Sequence, residues 1–205
     1  MVDQEISEIL IKQLKFTEAK VAKINLFLDD LIKYNKKYNL ISKNSEIHAW
    51  RRHVLDSAQI VKFVDFSKNG SLADLGSGAG FPGIIMSIFN DNPSFHVKLY
   101  EKSRIKCQFL KEIKDRYDIK AIIYEDDIKN QSIEANYVVC RAFKKLPEII
   151  RISREILDKP YKLIILKGKN AQEELNKASK EIVYEYRLEK SISDVNSRII
   201  IMNVR

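Results

Sequence analysis

Asp74-Leu75-Gly76-Ser77-Gly78-Ala79-Gly80-Phe81-Pro82-Gly83 holds four of the chain's six glycines, so it is where the backbone is asked to do something unusual. An apolar run, Ser71 to Leu75, precedes it, and another, Ile84 to Phe89, follows. The order is strand, glycine loop, helix. Glycines there reach positive φ and let a ligand approach the main chain. In an open α/β sheet, such a loop borders a crevice at the carboxyl ends of the strands. Free N–H groups at the helix start then face the ligand. A phosphate loop needs Gly-Lys-Ser/Thr, and none follows. Counted from Gly76, the dinucleotide fingerprint Gly-x-Gly-x-x-Gly requires glycine at 81, where Phe81 stands.

Downstream, short apolar runs alternate with helical ones. His96 to Tyr100 reads as a strand, and Arg104 to Tyr117 as a helix with Ile105, Phe109 and Ile113 aligned. Ala121 to Tyr124, Tyr137 to Cys140 and Leu163 to Leu166 read as strands buried on both faces. Helices are expected in the gaps between them. Ile182 to Leu188 and Arg198 to Val204 form a closing pair. The alternation predicts an α/β fold: a mainly parallel sheet covered on both faces.

Upstream, the pattern is helical. Ile6, Ile9, Leu10 and Leu14 recur at helical spacing. Thr17 is placed to cap a second helix carrying Val21, Ile24, Leu28, Leu31 and Ile32. Ser45 is placed to cap a third, with Ile47, Trp50, Val54, Ala58 and Val61 on one face. The chain is read as a single domain, 1–205, in which 1–66 is a helical extension and 67–205 the α/β core. Its 205 residues suffice for one domain with a sizeable core.

The formal net charge of +8 favours an acidic partner. From Arg141 to Lys180 there are 11 Lys/Arg against 5 Asp/Glu, so most of the excess lies in one C-terminal stretch suited to phosphates. Cys107 and Cys140 make no Cys-x-x-Cys pair and no disulfide framework; a cytosolic compartment fits, with both as small core residues. The acidic start, Met1 to Ile6, is no signal peptide. The long uncharged stretch from Leu75 to Asn90 carries too many glycines, and a proline, for a membrane helix. Neither a membrane nor a metal is expected as a partner.

The pattern Asp-x-Gly-x-Gly-x-Gly resembles the cofactor loop of class I methyltransferases, which use S-adenosylmethionine. That molecule lacks a pyrophosphate and carries a zwitterionic amino-acid end and a sulfonium. Asp74 is placed to accept from its ammonium. Glu101, closing the next strand, is placed to accept from both ribose hydroxyls. Asp127, after the third strand, falls where adenine contacts are expected.

Further motifs match one family. Tyr38-Asn39-Leu40-Ile41 is followed by Arg52-His53-Val54-Leu55-Asp56-Ser57, then Gly80-Phe81-Pro82-Gly83, Cys140-Arg141-Ala142-Phe143 and Leu166-Lys167-Gly168. In this order and spacing the chain resembles the RsmG (GidB) family over nearly its whole length. The resemblance implies a Rossmann-like methyltransferase with an N-terminal helical extension. It implies methylation of N7 of guanine-527 in the 16S ribosomal RNA of the small subunit. A monomer is expected. Cofactor contacts fall at Gly76, Phe81, Asp127, Ile128 and Arg141, beside the loop's Asp74, Gly78 and Gly80 and the ribose acceptor Glu101. The chain departs from the family at Glu125 to Ile128, at Cys140 where serine is usual, and at Ala79 where proline is common.

Guanine N7 offers an in-plane lone pair and has no proton to lose, so alignment rather than a general base is required. His53 and Asp56 lie on one predicted helix, and Arg52 with Asp56 forms an i,i+4 pair. On spacing alone that is a surface ion pair worth about 0.3–0.5 kcal/mol. The resemblance places the segment at the border of cofactor and substrate. His53, Asp56, Arg141 and Lys167 are therefore candidates for orienting the substrate. Arg52, Lys167 and Lys169 are candidates for RNA phosphates. Phe81 and Trp50 could stack on a base, with core packing favoured for Trp50. Two alternatives stay open: a class I methyltransferase acting on another RNA, a protein or a small molecule, and a non-enzymatic RNA-binding assembly factor.

Overall fold

The computed structural model describes residues 3–178 and 185–204. The fold is α/β, built on a seven-stranded sheet in the order β3-β2-β1-β4-β5-β7-β6. The strands are β1 (Gly70–Leu75), β2 (Phe95–Glu101), β3 (Ala121–Glu125), β4 (Tyr137–Arg141), β5 (Tyr161–Lys167), β6 (Tyr186–Lys190) and β7 (Arg198–Val204). β1 to β5 run parallel, and β7 enters antiparallel between β5 and β6. The order reverses between β1 and β4, which is where an open α/β sheet parts into a crevice.

Each predicted strand of the parallel part is present. Of the closing pair, the second member is Arg198–Val204 as read and the first is described over Tyr186–Lys190; Ile182 to Tyr184 lie outside the described residues. The gap between β3 and β4 holds only a short 3-10 turn, Ile128–Asn130, where a helix was expected. Local polar side chains explain it. Asp126 accepts from Asp127 N and Asn130 Nδ2, and Asp127 from Lys129 N. Such bonds offer the backbone an alternative to helix.

The helices are α1 (Gln4–Glu8), α2 (Glu18–Tyr38), α3 (Lys43–Ile47), α4 (Asp56–Ala58), α5 (Gly83–Phe89), α6 (Arg104–Arg116), α7 (Leu146–Ile156) and α8 (Ala171–Ala178). Thr17 caps α2 as read, accepting from Lys20 N. Helix α3 is capped by Ser42, not Ser45; Ser45 sits inside it, buried. The helical run also breaks at His48, leaving Ile47 largely exposed, and resumes as a π-helical turn, Trp50–Leu55, that leads into α4 and a 3-10 turn, Gln59–Phe63. On α6, Ile105 is half exposed; Cys107, Phe109, Leu110 and Ile113 make the buried face instead.

One face of the sheet packs against the N-terminal helices, α5 and α6 through a single apolar cluster that includes Leu10, Phe27, Leu55, Leu72, Ile84 and Phe109. The other face packs against α7 and α8 through Ile149, Leu163, Leu175 and Ile200. Each such buried side chain contributes about 1.5–3 kcal/mol of transfer free energy. A polar clamp fixes α2 to α6: buried Asp30 accepts from Arg116 Nη1 at 2.5 Å and from the Tyr117 hydroxyl at 2.6 Å. Trp50 is core, as favoured. Cys107 and Cys140 are buried and unbridged, and burial pushes their thiols up to about 11 and about 12. No helix among the described residues is long and apolar enough to cross a membrane.

Candidate functional site

The glycine loop is anchored at both ends. Gly76 N and Ser77 N donate to Tyr100 O of β2, and Gly80 N and Phe81 N donate back to Ser77 O. Gly76 has φ +71°, and a Cβ there would collide with the Phe143 ring. Gly83 lies so close to the sheet that a Cβ would stand 2.6 Å from Asp74 Oδ2 and 2.7 Å from Leu99 Cγ. Close helix-to-strand packing is the task of the third glycine in the dinucleotide fingerprint. Counted from Gly78, the stretch Gly78-Ala79-Gly80-Phe81-Pro82-Gly83 does satisfy that fingerprint. Phe81 therefore does not exclude the pattern, and the loop by itself leaves the ligand open.

Asp74 takes a different position from the one expected. It is fully buried, lies outside the lining of the crevice, and accepts from Gly83 N at 2.9 Å at the start of α5. Burial pushes its carboxyl up to about 7. Asp74 thus holds the loop to the helix through Oδ2, while its Oδ1 is buried without a hydrogen-bond partner. Gly80 is also turned away, packed towards Ile84 and Leu110.

The crevice encloses about 430 Å³. Gly76, Gly78, Phe81, Glu101, Asp127, Ile128 and Arg141 all line it, so most of the predicted cofactor set converges. Glu101 is nearly buried. Its Oε2 accepts from Gly78 N and its Oε1 from Ser103 N, both at 2.8 Å. Two main-chain donors thus fix the carboxylate, and each oxygen keeps a lone pair for a further donor. Tyr100 and Phe143, which the residue-by-residue reading did not assign, add aromatic wall. Tyr100 stacks on Tyr124 with ring centroids 4.6 Å apart. Leu40 and Ile41 close the crevice from the end of α2.

A second cleft, about 360 Å³, meets the first at Arg141 and Ala142. Ala142 has φ +49°, a conformation costing a non-glycine residue about 1–2 kcal/mol and one that gathers at functional sites. Arg141, at the end of β4, is mostly buried. It donates to Arg52 O at 2.5 Å, to His53 Nδ1 at 2.5 Å and to Asp56 Oδ2 at 3.4 Å. The π-helical turn at Trp50–Leu55 presents the Arg52 carbonyl; such turns recur at functional sites. The pair read from spacing, Arg52 with Asp56, is replaced: Asp56 pairs with Arg141, and Arg52 contributes its carbonyl while its side chain is exposed.

His53 lies in the core, stacked on Phe81 with centroids 4.9 Å apart, and the Arg141 guanidinium sits over the same ring. Burial, then Arg141, then Arg52 push its pKa down to about 3. The ring is neutral, with Nδ1 accepting from Arg141 and the proton on Nε2. The unfolded chain takes up a proton near 6.5 and the folded chain only near 3. The stability this group contributes is therefore complete above 6.5 and is lost as pH falls towards 3. The His53 ring resonances should show no protonation step between pH 5 and 8 in an NMR titration. A midpoint near 6.5 would contradict the buried, Arg141-bonded imidazole.

Lys167 lines the second cleft, but its ammonium is already engaged. It donates to Lys144 O at 2.7 Å and to Glu174 Oε2 at 2.8 Å. Mostly buried, it joins β5 to α8 and is poorly placed for an RNA phosphate. Lys169 is exposed beyond it. Four lysines that the site reading passed over, Lys102, Lys106, Lys129 and Lys144, rim the first crevice. The β6–β7 loop was also missed: Ser193, Asp194 and Ser197 line the second cleft. No motif marks them, because the fold alone brings them there. No His/Cys/Asp/Glu group suited to a metal ion occurs among the described residues.

A family model described as "rRNA small subunit methyltransferase G" (GidB) matches residues 20–201. Proteins named ribosomal RNA small subunit methyltransferase G are similar over most of the chain. That of Rickettsia typhi is 34% identical over 183 residues, covering 89% of this chain and 93% of its own. That of Orientia tsutsugamushi is 36% identical over 170 residues, 83% of each. Among solved structures, a SAM-dependent methyltransferase of Aquifex aeolicus superposes with a TM-score of 0.58 at 10% identity, over 73% of this chain and 89% of that one. A fibrillarin/Nop5p complex gives 0.56 at 14% identity, over 76% and 82%. At such identities the likeness concerns the fold.

Proposed function

The chain belongs to the rRNA small subunit methyltransferase G family, and from that premise we propose that it methylates N7 of a guanine in 16S ribosomal RNA, using S-adenosylmethionine. The observation that carries this reading is a pair of neighbouring clefts whose linings share Arg141 and Ala142. Methyl transfer needs a donor and an acceptor held side by side, and the shared residues place the two clefts next to each other.

The first crevice fits the cofactor. Glu101 is fixed by Gly78 N and Ser103 N with lone pairs to spare for ribose hydroxyls. Gly78, whose Cβ would meet only Gly76 O at 3.9 Å, leaves space for close approach. Tyr100, Ile128 and Phe143 offer apolar wall for a purine, and Asp127 a carboxylate at its edge. When bound, S-adenosylmethionine supplies an electrophilic methyl group.

The chain's own residues supply alignment. Phe81 and His53 stack into a rigid back wall, and Arg141 ties that wall to Asp56. His53 is neutral and bonded at Nδ1, so it is no proton acceptor; the reaction at N7 requires none. Arg52 and Lys169 lie exposed where phosphates can reach them. The protein is read as a cytoplasmic monomer.

The test is transfer of tritiated methyl from labelled cofactor into small subunits isolated from cells lacking the gene, followed by mapping of the label. One labelled N7-methylguanine in 16S RNA is expected. Label in neither subunits nor naked 16S RNA would remove the proposal.

A further inference from the structure

Gln59 is a fully buried amide, and a buried amide is costly unless its polar atoms are paired. Its partners all lie on two elements. The two Nε2 hydrogens serve three acceptors, one of them shared: Asp56 Oδ1, Asp56 O and Ser191 Oγ, each at 3.0 Å. Oε1 accepts from Ile192 N at 2.9 Å. Asp56 Oδ1 also accepts from Ser193 Oγ at 2.7 Å, while Asp56 Oδ2 faces Arg141. One relay therefore runs from the β6–β7 loop through Gln59 and Asp56 to Arg141, one of the two residues shared by both clefts.

We infer that the second cleft holds the target guanine, that the β6–β7 loop is its wall, and that Gln59 is the positioning residue that sets this wall against Arg141. The inference rests on the methyltransferase reading above. Guanine offers N1–H and N2–H₂ donors, and O6 and N7 acceptors. The cleft offers acceptors for the two donors. Asp194 takes Asn196 N on one oxygen and Ser197 Oγ on the other, so each oxygen keeps a lone pair open. Ser193 and Ser197, whose protons go to Asp56 and Asp194, add hydroxyl oxygens that can accept, and the exposed Arg52 adds a cation for the backbone. A volume of about 360 Å³ accommodates a splayed base. Gln59 touches neither ligand and acts through the loop.

The test compares Ser193→Ala and Gln59→Glu with the wild type by methyl transfer to small subunits and by calorimetric cofactor binding. Ser193→Ala removes one hydroxyl from a half-buried loop and leaves the core intact. Gln59→Glu sets a carboxylate against Asp56. KM for the subunit should rise about tenfold in each, the size of one lost charge-assisted hydrogen bond. Cofactor Kd should stay within about twofold. Unchanged KM in Ser193→Ala would overturn the inference, whether or not Gln59→Glu folds. So would a cofactor Kd that rises in step with KM, because the relay would then be general scaffolding. Failure of the functional reading looks different: the wild type itself would transfer no label.

Discussion

Replacing Arg141 by methionine should lower methyl transfer about 100-fold or more and lower the stability of the fold. The guanidinium serves three acceptors at once: Arg52 O, His53 Nδ1 and Asp56 Oδ2. Methionine matches its stem but pairs with none of them. Removing one partner of a buried ion pair costs about 3–5 kcal/mol. Asp56 keeps Gln59 and Ser193 as donors, so the loss here should lie near the lower end, about 3 kcal/mol. Urea unfolding reads it directly. Activity should fall further than stability does, because Arg141 and its neighbour Ala142 form the junction of the two clefts. A small misplacement of reacting groups costs about 100-fold. Arg141→Lys should restore part of the stability and little of the activity, since one ammonium lacks the planar fork. Wild-type turnover in Arg141→Met would remove Arg141 from the site.

Glu101→Ala should weaken S-adenosylmethionine binding about 100-fold, as read by calorimetry. The substitution removes the proposed acceptor for ribose hydroxyls and also releases Gly78 N and Ser103 N, so the loop loses its set position. Hydrogen bonds to charged groups contribute about 1.5–3 kcal/mol each, and two of them account for the factor. Glu101→Gln separates the two effects. Its amide keeps one carbonyl for one main-chain donor and turns an NH₂ towards the other, so affinity should fall although the side-chain shape is kept. Unchanged affinity in Glu101→Ala would mean that the cofactor rests elsewhere in the crevice.

Much of the cofactor crevice was legible because it is assembled from strand ends. Gly76, Gly78, Glu101, Asp127 and Arg141 each follow an apolar run, and parallel strands deliver their carboxyl ends to one edge. Asp74 stands at such an end too, yet faces inward. Which way a strand-end side chain turns depends on the pleat and on the helix packed above it, here Gly83 of α5. Lys167 misled for a related reason: its position at the end of β5 is as read, but Lys144 O and Glu174 had already claimed the ammonium. The loop from Ser191 to Ser197 was invisible because serine and aspartate between strands are ordinary turn residues.

Asp74 to Gly83, with the alternation around it, was enough to determine the class: a strand, a glycine turn and a helix, repeated into a parallel sheet with a crevice at its carboxyl edge. These features are local, since periodicity and turn chemistry reach only a few residues along the chain. The tertiary structure decided who pairs with whom. Asp56 meets Arg141 and Gln59 meets the β6–β7 loop only after β4 and β7 have found their registers in the sheet. A hydrogen bond is made within about 3 Å, and no spacing in the sequence measures that distance between residues so far apart along the chain.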